Sequence, residues 1–365
     1  MILDINGNLP PPPPNVKGRT TPENRRSDPH SREGPPARPE VSNLPGRRCP
    51  ERASRTAGPP GASRIAARVP GPELDPEDPR GRSEREEAMG RTILVLGGGG
   101  VKGMAHIGAW KAVQEAGIEV SEIVGTSIGA LVGACVAGGM GWDELAPLAL
   151  RLKKSDIVRL NRWALLINGI RQPSVFHDHA FRDYIRSVLP VTDFSELALP
   201  LSMNAVDLET GKMEWFGAGG RTDVPLADAI YASCALPVFY PPAEIGGRHL
   251  VDGGVGDSLP VRRAAERGAD LVIAVDVGAG EVKDALDTVS KGIVAIQHRV
   301  FDILSYARRR QQLETWDGPP LIYIRPRLDG YSTFDFGRTR YFLEEGYRAA
   351  REALADWSRA AVPAD

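Results

Sequence analysis

The chain has 365 residues, enough for one large domain or two ordinary ones. Its formal net charge of −2 gives no reason to expect nucleic acid or an anionic membrane as an electrostatic partner. Three cysteines (Cys49, Cys135 and Cys234) without CxxC spacing argue against a disulfide framework and a cysteine zinc site. No apolar run reaches the ~20 residues of a spanning helix, and the amino terminus lacks a signal-peptide pattern. A soluble cytoplasmic protein is expected, with at most transient peripheral contact at a membrane surface.

Residues 1–90 hold 18 of the 31 prolines and 14 arginines but no Phe, Trp or Tyr, so little in them can be buried to offset ordering entropy. Residues 1–88 read as a disordered Pro/Arg-rich tail, with Pro10–Pro14 a short polyproline stretch. Met89, directly before the first apolar run, reads as an alternative start. Residues 89–365 have the texture of one domain.

In chain order, Ile93–Leu96 reads as a buried strand and Gly103–Gly117 as a helix with Ile107, Trp110 and Val113 on one face. Ile123-Val124 is a second strand. Ser127–Gly138 is a helix apolar and small all round, as expected of one lying inside the protein. Helices over 141–190 are joined by an irregular apolar piece, Arg162–His177. Strands Leu201–Asp207 and Met213–Phe216 flank a turn, helix Asp228–Cys234 follows, and strand His249–Val251 runs into Asp252-Gly253-Gly254. Helix Pro260–Arg267 precedes strand Leu271–Val277. A long amphipathic helix over 290–313 is expected to pack Ile293, Ile296, Val300 and Leu304 on the core and leave Arg308–Arg310 solvated. A strand at Leu321–Ile324 and a helix at 338–358 close the chain. Strands alternating with helices predict a single α/β domain with a mostly parallel central sheet flanked by helices.

Three short motifs carry chemistry. Gly125-Thr126-Ser127-Ile128-Gly129 fits the G-x-S-x-G elbow, which sets a serine on a sharp strand-to-helix turn beside a helix amino terminus. An isolated copy reads equally well as a structural turn. Gly98-Gly99-Gly100-Val101-Lys102-Gly103 has three readings. A dinucleotide fingerprint would want an acidic residue ending the next strand, whereas Glu119 and Glu122 precede it. A P-loop would want the order G-K-[ST]. An oxyanion hole needs only successive glycine amides free of side chains, with Lys102 steadying the loop, adding positive potential or standing solvated in a first helical turn. Asp252-Gly253-Gly254 places a carboxylate at a strand end, able to act as general base for Ser127, although Asp-Gly-Gly alone is an ordinary turn. None of His30, His106, His177, His179, His249 and His298 has a triad context; His249, on the strand before Asp252, is the alternative base.

Together these residues resemble the patatin-like phospholipase family, particularly its bacterial members and the catalytic domain of neuropathy target esterase. The resemblance covers about residues 92–350 and includes Leu96–Gly103, Gly125–Gly129, Asp207–Gly211, Ala232–Pro237, Pro241-Pro242, Val251–Gly254 and Gly268–Val277. Lys102 stands where many relatives carry arginine. The resemblance implies a Ser-Asp dyad without histidine: Ser127 the nucleophile, Asp252 the base and Gly98–Gly100 the oxyanion loop, with no metal or organic cofactor. It implies hydrolysis of fatty-acyl esters of lipids. A general carboxylesterase or thioesterase with the same dyad, or a non-catalytic nucleotide- or phosphate-binding protein, are the competing readings. For the irregular Arg162–Ile170 stretch the expectation is part of an acyl-chain entrance or a loop folded on the core.

Overall fold

The computed structural model describes residues 90–161, 172–280 and 286–361. The tail read over 1–88 and the entrance read at Arg162–Ile170 lie outside the described residues. The strands are β1 (Thr92–Leu96), β2 (Glu122–Gly125), β3 (Arg159–Leu160), β4 (Phe176–His177), β5 (Leu201–Asp207), β6 (Met213–Gly217), β7 (Ala243–Ile245), β8 (Arg248–Asp252), β9 (Leu271–Val275) and β10 (Leu321–Ile324). The helices are α1 (Met104–Glu115), α2 (Ile128–Ala137), α3 (Trp142–Arg151), α4 (Lys154–Ile157), α5 (His179–Val188), α6 (Leu226–Cys234), α7 (Val261–Glu266), α8 (Leu286–Ser290), α9 (Ile293–Glu314) and α10 (Thr339–Ala361).

Eight strands form one sheet in the order β10-β9-β1-β2-β5-β8-β7, with β6 on β5; β3 and β4 pair separately. The five central strands from β10 to β5 are parallel, as alternating strands and helices predict. Their apolar runs suit a sheet covered on both faces. Along β1, Leu94 and Leu96 join one buried cluster with α1 and α2, while Ile93 and Val95 join a second with α7. Side chains alternating across the pleat account for that split.

The edge of β5 decides where the chemistry sits. β6 covers one side of β5, and two strands share the other: β2 pairs in parallel up to Gly125↔Met203, and β8 pairs antiparallel down to Asp252↔Ala205. The carboxyl ends of β2 and β8 therefore meet head to head, with only Asn204 between their registers. Asp252 reaches the serine turn from an antiparallel strand running back toward β2.

Helix α9 corrects an expectation. Ile293 is 83% and Leu304 66% exposed, and Ile296, Val300 and Ile303 also face outward. The buried residues of its inner face include Ser305 and Arg309. The reason is Asp276, fully buried just past β9, which accepts hydrogen bonds from Arg309 Nε (3.1 Å) and Tyr323 OH (2.7 Å) and ion-pairs with Arg325 (3.0 Å). Burial alone would push this carboxyl up, but the two guanidiniums hold it below the usual range. A paired charge satisfied on all sides outweighs the pull of the apolar stripe, so the helix turns its arginine inward. Arg309→Leu is expected to destabilise the protein by about 3 kcal/mol or more, because it strips one partner from a buried carboxylate. A thermal midpoint unchanged from wild type would refute that role.

Candidate active site

Ser127 sits between β2 and α2 with φ 55° and ψ −125°, a strained conformation for a non-glycine residue that costs on the order of 1–3 kcal/mol. The flanking glycines make the turn feasible. A Cβ on Gly125 would lie 2.6 Å from Ala130 Cα, and one on Gly129 would collide with the Leu96 carbonyl. The turn lifts the Ser127 hydroxyl to donate to Asp252 Oδ2 at 2.6 Å. Asp252 ends β8, and its Oδ1 accepts the Gly254 amide at 2.7 Å, which closes the Gly253–Val255 turn and fixes the carboxylate plane. Burial pushes this carboxyl up to about 6, against the Ser127 and Gly254 hydrogen bonds that favour its charged form. A base poised there accepts a proton near neutrality.

Two supporting residues escape sequence reasoning. Asn204, between the two strand ends, accepts from Thr126 Oγ1 at 2.8 Å and donates to the carbonyls of Gly253 (3.2 Å) and Asp257 (3.0 Å). It staples the nucleophile turn to the aspartate turn, yet an Asn within an apolar strand carries no motif. Ser233 Oγ accepts the Ser127 amide at 2.9 Å; the only signal for it was its place in Ala232–Pro237. Asn204→Ala leaves two buried carbonyls without that donor, an expected cost of about 1–3 kcal/mol. Activity is expected to fall at least ~10-fold, and a variant matching wild type in both midpoint and turnover would remove the staple.

The glycine loop runs directly beside the nucleophile: a Cβ on Gly98 would lie 3.4 Å from Ser127 Cβ. Its amides are not equivalent. Gly98 donates to the Ser258 carbonyl (2.9 Å) and Val101 to that of Thr333 (3.0 Å), which leaves Gly99 and Gly100 as the loop glycines with uncommitted amides among the described residues. His106 Nε2 lies 2.7 Å from the Gly97 carbonyl, which can only accept, so that nitrogen carries the proton. Burial lowers His106 to about 4, keeping the ring neutral as a prop under the loop. Lys102 is no solvated first-turn lysine. It is 4% exposed, lines the cleft above the dyad, and burial brings its ammonium down to about 8, opposed by the carboxylates of Asp302 and Asp276. Glu122 lies at the amino end of β2, ion-paired with Arg267 (2.8 Å) and Arg91, across the sheet from the glycine loop. It is not placed to hold a ribose.

The remaining histidines stay out of the dyad. His249 is half-exposed between Glu209 (3.6 Å) and Glu244 (3.5 Å). His298 lines the cleft wall, 3.5 Å from Asp302 and 3.3 Å from Thr333 Oγ1. His177 and His179 face each other at the far side of α5's start, with ring centres 5.6 Å apart. The cleft over the dyad has an empty volume of about 880 Å³ counting its open mouth, and Met104, Ile128, Leu152, Phe181, Leu236 and Tyr240 make much of its wall apolar. No described helix is long and apolar enough to cross a membrane.

Residues 94–265, which contain the glycine loop, Ser127 and Asp252, match the family model described as patatin-like phospholipase. An uncharacterized NTE family protein of Mycobacterium tuberculosis is 37% identical over 203 residues, 56% of this chain and 53% of that protein. Lysophospholipase NTE1 of Coccidioides immitis is 30% identical over 281 residues, 72% of this chain but 17% of its own length. The chain thus spans about half the length of the mycobacterial relative. Among solved structures, VipD from Legionella pneumophila aligns with a TM-score of 0.42 at 16% identity, over 73% of this chain and 67% of that one.

Proposed function

Because the chain belongs to the patatin-like phospholipase family over residues 94–265, we propose that it is a serine acyl hydrolase that cleaves fatty-acyl esters of lipids, of the phospholipase A or lysophospholipase type. The observation that carries the reading is the 2.6 Å hydrogen bond from the strained Ser127 hydroxyl to the buried Asp252 carboxylate. In the proposed reaction Asp252 takes the Ser127 proton as Oγ attacks the acyl carbonyl carbon. The oxygen, now negative, is held by the Gly99 and Gly100 amides of the Gly98–Gly100 loop, each such donor contributing about 3 kcal/mol at the transition state. The tetrahedral adduct collapses, the C–O bond to the alcohol breaks, and Asp252 returns the proton to the leaving alkoxide. Water, deprotonated by Asp252, then releases the fatty acid and restores Ser127.

The apolar wall of the cleft favours a long acyl chain over the short acyl groups of a general esterase or thioesterase. A nucleotide-binding role is disfavoured by the position of Glu122 and by the Gly98 amide being bonded to Ser258. The steps draw on no metal or organic cofactor, so EDTA is expected to leave the rate unchanged. Free fatty acid released from 1-palmitoyl lysophosphatidylcholine and from p-nitrophenyl butyrate tests the reading. Turnover of the lysolipid at least ~10-fold more efficient than that of the butyrate is expected. Turnover of the butyrate alone would leave a short-chain esterase. No turnover of either, with ATP or NAD raising the thermal midpoint, would overturn the proposal in favour of a binding protein.

A further inference from the structure

Helix α9 has two unlike faces, and both bear on the dyad. Its inner face lines the cleft with His298, Phe301 and Asp302. It is fastened at Ser305, whose hydroxyl donates to the Gly254 carbonyl (3.2 Å), and at Arg309, which donates to Ser258 Oγ (3.1 Å) and bonds Asp276. Gly254 is also the residue whose amide holds Asp252. The outer face carries Ile293, Ile296, Val300, Ile303 and Leu304, all exposed. At 100° per residue these five fall within one stripe about 100° wide, opposite His298, Ser305 and Arg309. Val255, in the turn next to Asp252, adds a sixth exposed apolar side chain. Arg308, exposed and donating to the Gly256 carbonyl, borders the stripe on one side; Arg310, exposed and ion-paired with Glu314, borders it on the other.

An outward apolar stripe with arginines along both margins is the pattern of a helix lying in the plane of a membrane, apolar side chains among the acyl chains and guanidiniums at phosphate level. Here the same helix forms a wall of the cleft, so an interface covering its outer face would lie beside the cleft over Ser127. We propose that α9, with Val255, is the surface by which this protein docks on a phospholipid bilayer and takes its lipid ester from it. The net charge of −2 does not oppose this, because the arginines of the helix are local to the margin of the stripe. The proposal rests on the acyl-hydrolase reading for its purpose, but its test does not depend on turnover.

The test is co-sedimentation of the full-length Ser127→Ala protein with vesicles of equal parts phosphatidylcholine and phosphatidylglycerol, beside the same protein carrying Ile293→Asp and Leu304→Asp. Partitioning is expected to fall at least ~10-fold in the triple variant, whose thermal midpoint should stay at that of its parent because both added substitutions are on exposed side chains. A milder pair, Ile293→Gln and Leu304→Gln, should give an intermediate loss and serves if the aspartates unfold the protein. In the active background the same pair is expected to slow lipid hydrolysis in vesicles while p-nitrophenyl butyrate turnover stays within about twofold, since neither side chain lines the cleft. Unchanged partitioning would overturn the proposal. So would sedimentation showing a wild-type dimer that the aspartates convert to monomer with vesicle binding intact, which would make the stripe a contact between two copies. Loss of butyrate turnover with vesicle binding retained would also overturn the proposal, since the substitutions would then act on the cleft and not on a docking surface.

Discussion

Ser127→Ala is expected to lower acyl-ester turnover by about 10⁴-fold or more while leaving the fold intact. Removing the nucleophile of a covalent mechanism removes the path itself, and what survives is binding and oxyanion stabilisation. The substitution keeps the backbone amide that Ser233 accepts, and alanine tolerates the conformation at 127 as well as serine does. Circular dichroism and a thermal midpoint matching wild type, alongside the kinetic loss, are the expected pair of results. Residual activity within tenfold of wild type would mean that another residue attacks.

The second large effect is at Asp252. Asp252→Asn is expected to cost about 10³-fold or more, since an amide cannot take the Ser127 proton. The wild-type pH profile carries a sharper signature. With the carboxyl pushed up to about 6 by burial, its charged, proton-accepting form is lost below that pH, so kcat/KM should fall about tenfold per unit on the acid side and level off above it. An ordinary carboxylate would put that limb near 4. The stability linkage has the opposite sign. A carboxyl whose folded value is raised favours the folded state most below its ordinary range, and that contribution is lost as pH rises through about 6. Asp252 is thus expected to be useful to catalysis in the pH range where it gives least to the fold. A flat rate from pH 4.5 to 8 would contradict its assignment as base.

Much of this site was legible in the sequence because its parts are backbone devices. Gly125 and Gly129 are demanded by sterics at a strand-to-helix turn, and Asp252-Gly253-Gly254 by a carboxylate capping its own turn, so both motifs can be read from residue identities, although each alone reads as a turn and only their combination resembles the family. The parallel centre of the sheet followed from apolar runs alternating with helices. What brings Ser127 and Asp252 together did not, because it depends on register: β8 is antiparallel and shares an edge of β5 with β2. Asn204 was illegible for the same reason, being meaningful only once two strand ends meet beside it. The periodicity of α9 revealed an amphipathic helix but not its orientation. The hydrophobic rule pointed the stripe inward, and the buried charge of Asp276, the first residue after β9, turned Arg309 inward instead. Lys102 illustrates the same limit, since a lysine at a helix start reads equally as solvated or as a prop of the loop until the cleft wall that covers it is known.

In the proposed reaction Ser127, activated by Asp252, is the residue that becomes acylated. The most direct test of that claim is intact-mass and peptide mapping of the full chain after exposure to an alkyl fluorophosphonate. One phosphonyl adduct per chain is predicted, on the peptide containing Ser127, abolished in Ser127→Ala and formed far more slowly in Asp252→Asn. An adduct that persists in Ser127→Ala, or no adduct on a folded wild-type protein, would contradict the claim.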